Sequence, residues 1–390
     1  MKTIKSIQNL KNKKVLVRVD FNVPVGDDGI IDSKEDWRIR AALPMIEYLL
    51  EKGAKIILMT HLGRPEKYQV SSSKYQACSL RLVAKHLEEL LDREVKFVND
   101  CIGDEVEKAV SKIKAGEIIM LENLRFYKEE KNNDEGFARK LAGLADIYIN
   151  NAFSVSHRKH ASVCAITKIL PSYAGLLLEK EASVLSEAIN NPKKPATVII
   201  GGAKAKTKVP VIEYLLDKFD NILVGGVVAN VILKVKGIDI GNSLLGDIDL
   251  DEVRNIDIEN NKLHIPIDAI ICSNENKVSL STIGKIGNNK ILDIGSKTAE
   301  LYSKIISDSE TIIWNGPMGL FEKEEFSLGT KVISEAVAKV GGCTIIGGGD
   351  TIAAVYKFSD LEKIDYICTG GGAMLEFLAG KRLPGLEILK

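Results

Sequence analysis

The chain has 390 residues, with 53 Lys or Arg against 53 Asp or Glu, so its formal net charge is zero. That balance argues against a bulk electrostatic grip on nucleic acid or on an anionic membrane. Hydrophobic residues make up 45% and charged residues 27%, which suits a globular chain with a sizeable core and not a disordered one.

The first 16 residues carry lysines but no apolar signal core, and no apolar run along the chain reaches ~18 residues. The expectation is a cytoplasmic protein without a membrane span. Short β-branched runs at 14–19, 55–59, 95–98, 117–121 and 146–150 read as strands, with amphipathic helices at 39–52 and 79–91 between them. A helix over 176–189 ends at Asn190-Asn191-Pro192, inside a boundary region at 171–195. Strands follow at 197–200, 221–224, 291–293, 311–314, 344–346 and 366–368, with a helix at 209–218. The stretches 255–261 and 274–290 look least structured. Nearly continuous apolar strands alternating with helices predict an α/β protein with parallel sheets covered on both faces. Two such sets give two doubly wound parallel-sheet domains, with the 176–189 helix joining them.

Six cysteines, Cys78, Cys101, Cys164, Cys272, Cys343 and Cys368, show no paired spacing, so neither a zinc site nor a disulfide framework is indicated. The chemistry should sit at the carboxyl ends of the strands, where open parallel sheets bind ligands. In the first half those ends carry Asp20 and Asn22, then His61 and Arg64, then Arg125, then His157 and Arg158. One arginine alone is more often a surface or salt-bridged residue. Arginines recurring at successive strand ends suit a small, multiply anionic substrate, because the guanidinium fork matches carboxylate and phosphate.

The second half ends its strands on glycine instead: Gly201-Gly202, Gly225-Gly226, Gly316, Gly347-Gly348-Gly349 and Gly370-Gly371-Gly372. Glycine before a helix lets backbone N–H groups approach phosphate oxygens. Asp350 follows three glycines, a place for a carboxylate that holds a magnesium–phosphate complex. Lys204 and Lys208 add positive charge. There is no G-x-x-x-x-G-K-[ST] and no strand-linked G-x-G-x-x-G with a suitable acid. The protein-kinase sequences are absent. His157 and His160 have no cysteine or paired acid nearby in sequence to make a metal pair.

These motifs, RVDFNVP (18–24), RIRAALP (38–44), HLGRP (61–65), LENLRF (121–126), HRKHAS (157–162), GGAK (201–204), WNGPMGLFE (314–322), GGGDT (347–351) and TGGGAMLEFLAGKRLPG (369–385), occur in one order. In that order they resemble phosphoglycerate kinase over essentially the whole chain. The resemblance implies reversible phosphoryl transfer from 1,3-bisphosphoglycerate to MgADP, giving 3-phosphoglycerate and MgATP, in line and with hinge closure. It implies two domains facing across a cleft. The expected divisions are a phosphoglycerate-binding domain at 1–172, a helix and linker at 173–192, a nucleotide-binding domain at 193–378 and a tail at 379–390 returning to the first domain. Asp20, Asn22, Arg38, His61, Arg64, Arg125 and Arg158 would hold the phosphoglycerate. Gly201, Gly202, Lys204, Gly225, Gly226, Gly295, Asn315, Glu322, Gly347, Gly348, Gly349, Asp350 and Thr351 would serve the nucleotide, with Asp350 on Mg2+. Arg38, Lys208, Gly371 and Gly372 would act on the group in transfer. The resemblance further implies a cytoplasmic monomer with no nucleic-acid or membrane partner.

The sequence departs from the family pattern at several places. Asn151 stands where an aspartate is expected, Val227 replaces a third glycine near the expected adenine site, and Trp37 precedes Arg38. Two other classes stay open at this point: an acyl-phosphate kinase for a different carboxylic acid, and a non-catalytic interaction protein on this scaffold.

Overall fold

A computed structural model describes every residue except 27–28, 66–71 and 255. The chain divides into two compact units, Met1–Ser183 with Arg382–Lys390, and Val184–Lys381. The division falls inside the helix Leu176–Asn190.

Unit 1 is built on strands β1 (Lys14–Arg18), β2 (Lys55–Met59), β3 (Val95–Phe97), β4 (Ile118–Met120), β5 (Ile147–Asn150) and β6 (Ser172–Ala174). They form one sheet in the order β3-β4-β2-β1-β5-β6, parallel throughout. The period-2 pleat splits each strand's apolar residues between two cores. Val15, Val17, Ile56 and Leu58 pack with Ile39, Met45, Ile46 and Leu49 of the helix Trp37–Glu51. Leu16, Ile57 and Met59 pack on the other face, with Val106 and Val110 of the helix Asp104–Ser111. Each fully buried Leu, Ile or Val contributes roughly 1.5–3 kcal/mol over its exposed state, so both faces need their helices.

Unit 2 repeats the plan. Its strands are β7 (Ala196–Ile200), β8 (Asn221–Val224), β9 (Leu263–His264), β10 (Asp268–Cys272), β11 (Val278–Thr282), β12 (Lys290–Ile294), β13 (Thr311–Asn315), β14 (Cys343–Gly347) and β15 (Tyr366–Cys368). Six of them make a parallel sheet in the order β15-β14-β13-β7-β8-β9. The other three form a separate antiparallel sheet, β11-β10-β12. This small sheet corrects the expectation that 274–290 lacks structure, since β11 lies within it. Residue 255, at the start of the other such stretch, lies outside the described residues. Strand β11 escapes detection because four of its five residues are exposed, so no apolar alternation marks it. Among the described residues, no helix is long and apolar enough to cross a membrane.

Candidate functional site

In unit 1 the loops after β1, β2, β4 and β5 carry the predicted anion-binding residues. Arg38, on the first turn of Trp37–Glu51, donates from Nη1 to the Asn22 carbonyl at 2.8 Å and lies 3.4 Å from the Asp20 carboxylate. Its guanidinium also stands 5.1 Å from the Trp37 ring centroid, a cation–π contact. The Asn22 side-chain oxygen accepts from Gly63 N at 2.7 Å, which pins the β2 loop to the β1 loop. Arg125 Nη1 donates to the Gly63 carbonyl at 2.6 Å. Asn123 ties the Arg125 loop down, donating to the Leu62 and Cys78 carbonyls at 2.7 and 2.8 Å. Arg158 Nε donates to His157 Nε2 at 3.2 Å.

His61 is the point on which these charges bear. Burial first, then Arg18, Arg125, Arg158 and Arg38, hold its pKa well below the ordinary imidazole value. Arg158 likewise feels Arg18, Arg64 and Arg38. Like charges persist this close only where an anion is to be received or a carboxylate compensates, and Asp20 is the one acid among these predicted residues.

In unit 2 the same strand ends are built from backbone. A Cβ on Gly201 would strike the Pro317 carbonyl oxygen, and one on Gly225 the side chain of Met318. A Cβ on Gly226 would lie 2.7 Å from Gly202 N, and one on Gly371 2.7 Å from the Gly348 Cα. Gly316 has φ +98°, and a Cβ there would meet the Lys208 ammonium and the Gly201 carbonyl. The loops after β7, β8, β13, β14 and β15 therefore close on one another only because these positions lack side chains. Four helices, Ala205–Leu215, Gly226–Val235, Gly349–Phe358 and Gly371–Leu378, begin there and turn their first N–H groups to the crest.

Beside this crest lies a cavity of ≈ 230 Å3 whose walls include Val227, Leu244, Leu292, Pro317 and Met318, with Glu322 and Asp350 also lining it. Apolar walls with a few polar groups suit a flat heterocycle carrying a polar tail. Lys208, on the first helix, is 6% exposed and donates to the Gly201 and Asn315 carbonyls. Its pKa falls to about 8, through burial above all; Asp350 pulls the other way and Lys204 adds to the fall.

The structure sorts the predicted residues. Gly202, Gly226, Glu322 and Asp350 line the cavity. Asn315 instead reaches the Gly347 carbonyl with its amide (2.7 Å), and Thr351 Oγ1 accepts from Gly316 N (2.7 Å); both brace the loops. Gly295 does not line the cavity: it lies against the Asp268 carboxylate, which caps the helix Ser296–Ser307 through Thr298 N at 2.8 Å. Asp350, Lys204 and Arg64 are exposed. The sequence reading places Arg18 at a strand end but gives neither it nor Ser154 a role. Ser154 Oγ donates to Asp20 at 2.5 Å, and Arg18 ends a strand that is otherwise apolar beyond Lys14, a signal that could have given it one.

The model of one family, described as phosphoglycerate kinase, matches residues 4–381. A phosphoglycerate kinase of Dictyoglomus turgidum is 46% identical over 98% of this chain and 97% of its own length. One of Moorella thermoacetica is 45% identical over 99% and 98%. Among solved structures, phosphoglycerate kinase of Coxiella burnetii superposes with a TM-score of 0.83 at 38% identity, over 99% of this chain and 98% of that one. That of Pyrococcus horikoshii gives 0.85 at 35% identity, over 100% and 98%.

Proposed function

From the premise that the chain belongs to the phosphoglycerate kinase family, we propose that the arginine crest of unit 1 holds the phosphoglycerate and the glycine crest of unit 2 the nucleotide. The reaction is the family's own: reversible transfer of the acyl phosphate of 1,3-bisphosphoglycerate to ADP, giving 3-phosphoglycerate and ATP, a step of glycolysis and gluconeogenesis. The observation that carries the site assignment is that Arg38 and Arg125, from different strand ends, are held on the Asn22 and Gly63 carbonyls of loops that are bonded to each other.

The chemistry asks little of acid–base groups, because the attacking ADP oxygen is already ionised. What remains is alignment and stabilisation of charge on the moving phosphoryl group. In this reading Asp20, Asn22, His61, Arg64, Arg125 and Arg158 bind and orient the phosphoglycerate. Arg38 and Lys208 neutralise charge on the group in transfer, and the backbone N–H groups at Gly371 and Gly372 receive its oxygens. Lys208 serves while protonated, and its place under the Gly201 and Asn315 carbonyls holds it ready.

Asp350 fits a magnesium–nucleotide complex: it is an exposed carboxylate on the first turn of Gly349–Phe358, lining the cavity. Among the described residues no group of three or more His, Cys, Asp or Glu could cage an ion. A single carboxylate plus phosphate oxygens and water is the set magnesium accepts. Bound there, the ion would screen the charge of the nucleotide phosphates.

Transfer requires the two ligands to meet, and the hinges of closure are the ends of Leu176–Asn190 and the segment 369–372. We further place the protein in the cytoplasm, acting as a monomer. Titration calorimetry tests the site assignment. Arg125→Ala should abolish 3-phosphoglycerate binding and spare ADP, and Asp350→Ala should weaken MgADP and spare 3-phosphoglycerate. Crossed effects would sink it. Small-angle scattering should show the radius of gyration falling most with both ligands present; an unchanged radius in active protein would refute closure.

A further inference from the structure

A guanidinium donates hydrogen bonds and accepts none at any ordinary pH. In unit 1 that constraint falls on a histidine. Arg18, 1% exposed, donates from Nη2 to His61 Nδ1 at 3.1 Å, from Nε to the Ser162 hydroxyl at 3.0 Å, and from Nη1 to the Val19 carbonyl. Ser162 Oγ donates its one hydrogen bond to Glu130 at 2.6 Å, and Ser162 N donates to the other Glu130 oxygen at 2.9 Å. Every bond in this chain therefore has a fixed direction. His61 Nδ1 must be an acceptor, so the neutral ring carries its proton on Nε2.

The charge balance keeps it so. Glu130 is fully buried; burial alone would raise its pKa, but His160, Arg18 and Ser162 outweigh that and lower it. It stays ionised as the counter-charge of Arg18. Around His61, Arg38, Arg125 and Arg158 oppose a second proton. Asp20 would favour one, yet its Oδ1 stands 3.9 Å from Nδ1, and its carboxylate already serves Arg38, Asn22 N and Ser154.

We propose that Arg18 is a positioning residue that locks His61 as the neutral Nε2–H tautomer, so that the ring offers an anionic substrate one fixed donor and no titratable charge. This rests on the reading of the crest as the phosphoglycerate site. Its consequence is a grip on the anion that does not tighten in acid through His61.

Nitrogen-15 NMR of the imidazoles, in the full chain with and without 3-phosphoglycerate, tests it. The chain has five histidines, so assignment by single replacement is direct. His61 should show the Nε2–H pattern unchanged between about pH 5 and pH 8. An Nδ1–H pattern, or titration in that window, overturns the lock even if no variant folds. Arg18→Met removes the donor, whereas Arg18→Gln keeps an amide N–H for Nδ1. In the Met variant Asp20 is left as the neighbour of Nδ1, so the Nδ1–H tautomer should appear and the ring should take up its second proton at higher pH than in the wild type. The ratio of its 3-phosphoglycerate Kd to that of the wild type should then fall about fivefold on acidification, as a neutral donor becomes a charged one. That ratio cancels the ligand phosphate's own titration. The Gln variant should keep the Nε2–H pattern. A Met variant with an unshifted tautomer and a flat ratio overturns the proposal. A locked ring whose signals ignore saturating 3-phosphoglycerate overturns the site reading, and the positioning role with it, while leaving the tautomer as found.

Discussion

On the reading proposed above, the atoms offered to an anion at the strand ends of unit 1 are guanidinium nitrogens on separate loops, held from beneath by the Asn22 and Gly63 carbonyls. At the strand ends of unit 2 they are backbone N–H groups at four helix starts, crowded together at Gly201, Gly226, Gly316 and Gly371. The side-chain crest concentrates net charge, so it must carry compensating acids, Asp20 at its surface and Glu130 below. The backbone crest needs no counter-ion but tolerates no added methyl group at Gly201, Gly226, Gly316 or Gly371. On that reading one recognises by charge and the other by closeness of approach, and they should fail differently.

The largest expected failure is in charge. Arg38→Ala should lower kcat by about 100- to 1,000-fold, the cost of losing one donor aimed at developing charge. Its effect on the nucleotide KM should be small and its thermal melt near that of the wild type. A loss confined to stability, with normal turnover of the folded fraction, would assign Arg38 to the helix start alone.

Next comes closeness. Gly316→Ala forces a side chain into left-handed backbone, at roughly 1–3 kcal/mol of strain, and sets it against Lys208 and the Gly201 carbonyl. Calorimetry should show weaker ADP binding, with 3-phosphoglycerate affinity unchanged. Equal loss for both ligands would erase the contrast between the two crests.

Lys208 sharpens the comparison, because it is a side-chain charge set into the backbone crest. With its pKa lowered to about 8, it is protonated below that pH and neutral above it. kcat/KM, which reports the free enzyme, should therefore fall as pH rises through about 8. Bound phosphate favours the ammonium, so the fall in kcat should lie at higher pH. Coincident profiles would detach Lys208 from the phosphates.

The smallest effect concerns stability alone. Asn151 Oδ1 accepts from Leu177 N at 3.0 Å, at the head of Leu176–Asn190, while its buried Nδ2 finds no partner among the described residues. Asn151→Asp replaces that donor by an acceptor facing a helix N-terminus and should stabilise by about 0.3–1 kcal/mol at neutral pH. Denaturant titration measures it; a loss of stability would mean that desolvating the carboxylate costs more than the helix end returns.

The parallel strands were legible because burial on both faces leaves runs such as Ile56–Met59 with no polar interruption. The arginine and glycine crests were legible because their spacing follows those strands. Of the antiparallel sheet only β12 was legible, as the strand at 291–293 expected in the parallel sheet; β11 was hidden because it pairs through backbone and exposes side chains on both faces. In sequence, a glycine that makes room for a capping carboxylate, as Gly295 does for Asp268, looks like one that makes room for phosphate. Arg18 was visible at its strand end but not its role, because its partners, His61, Ser162 and Glu130, are far away along the chain.

Unit 1 is discontinuous: Arg382–Lys390 belongs to it, with Gly385 N on the Ser156 carbonyl and Lys2 N on the Leu389 carbonyl. During synthesis, then, every residue of Val184–Lys381 leaves the ribosome before the segment that seals unit 1. The backbone of Gly385 sits against Ser156 and Val163, on the loop that carries Arg158. Unit 1, whose strands are made first, is therefore the last of the two to be sealed, because its final segment follows every residue of unit 2.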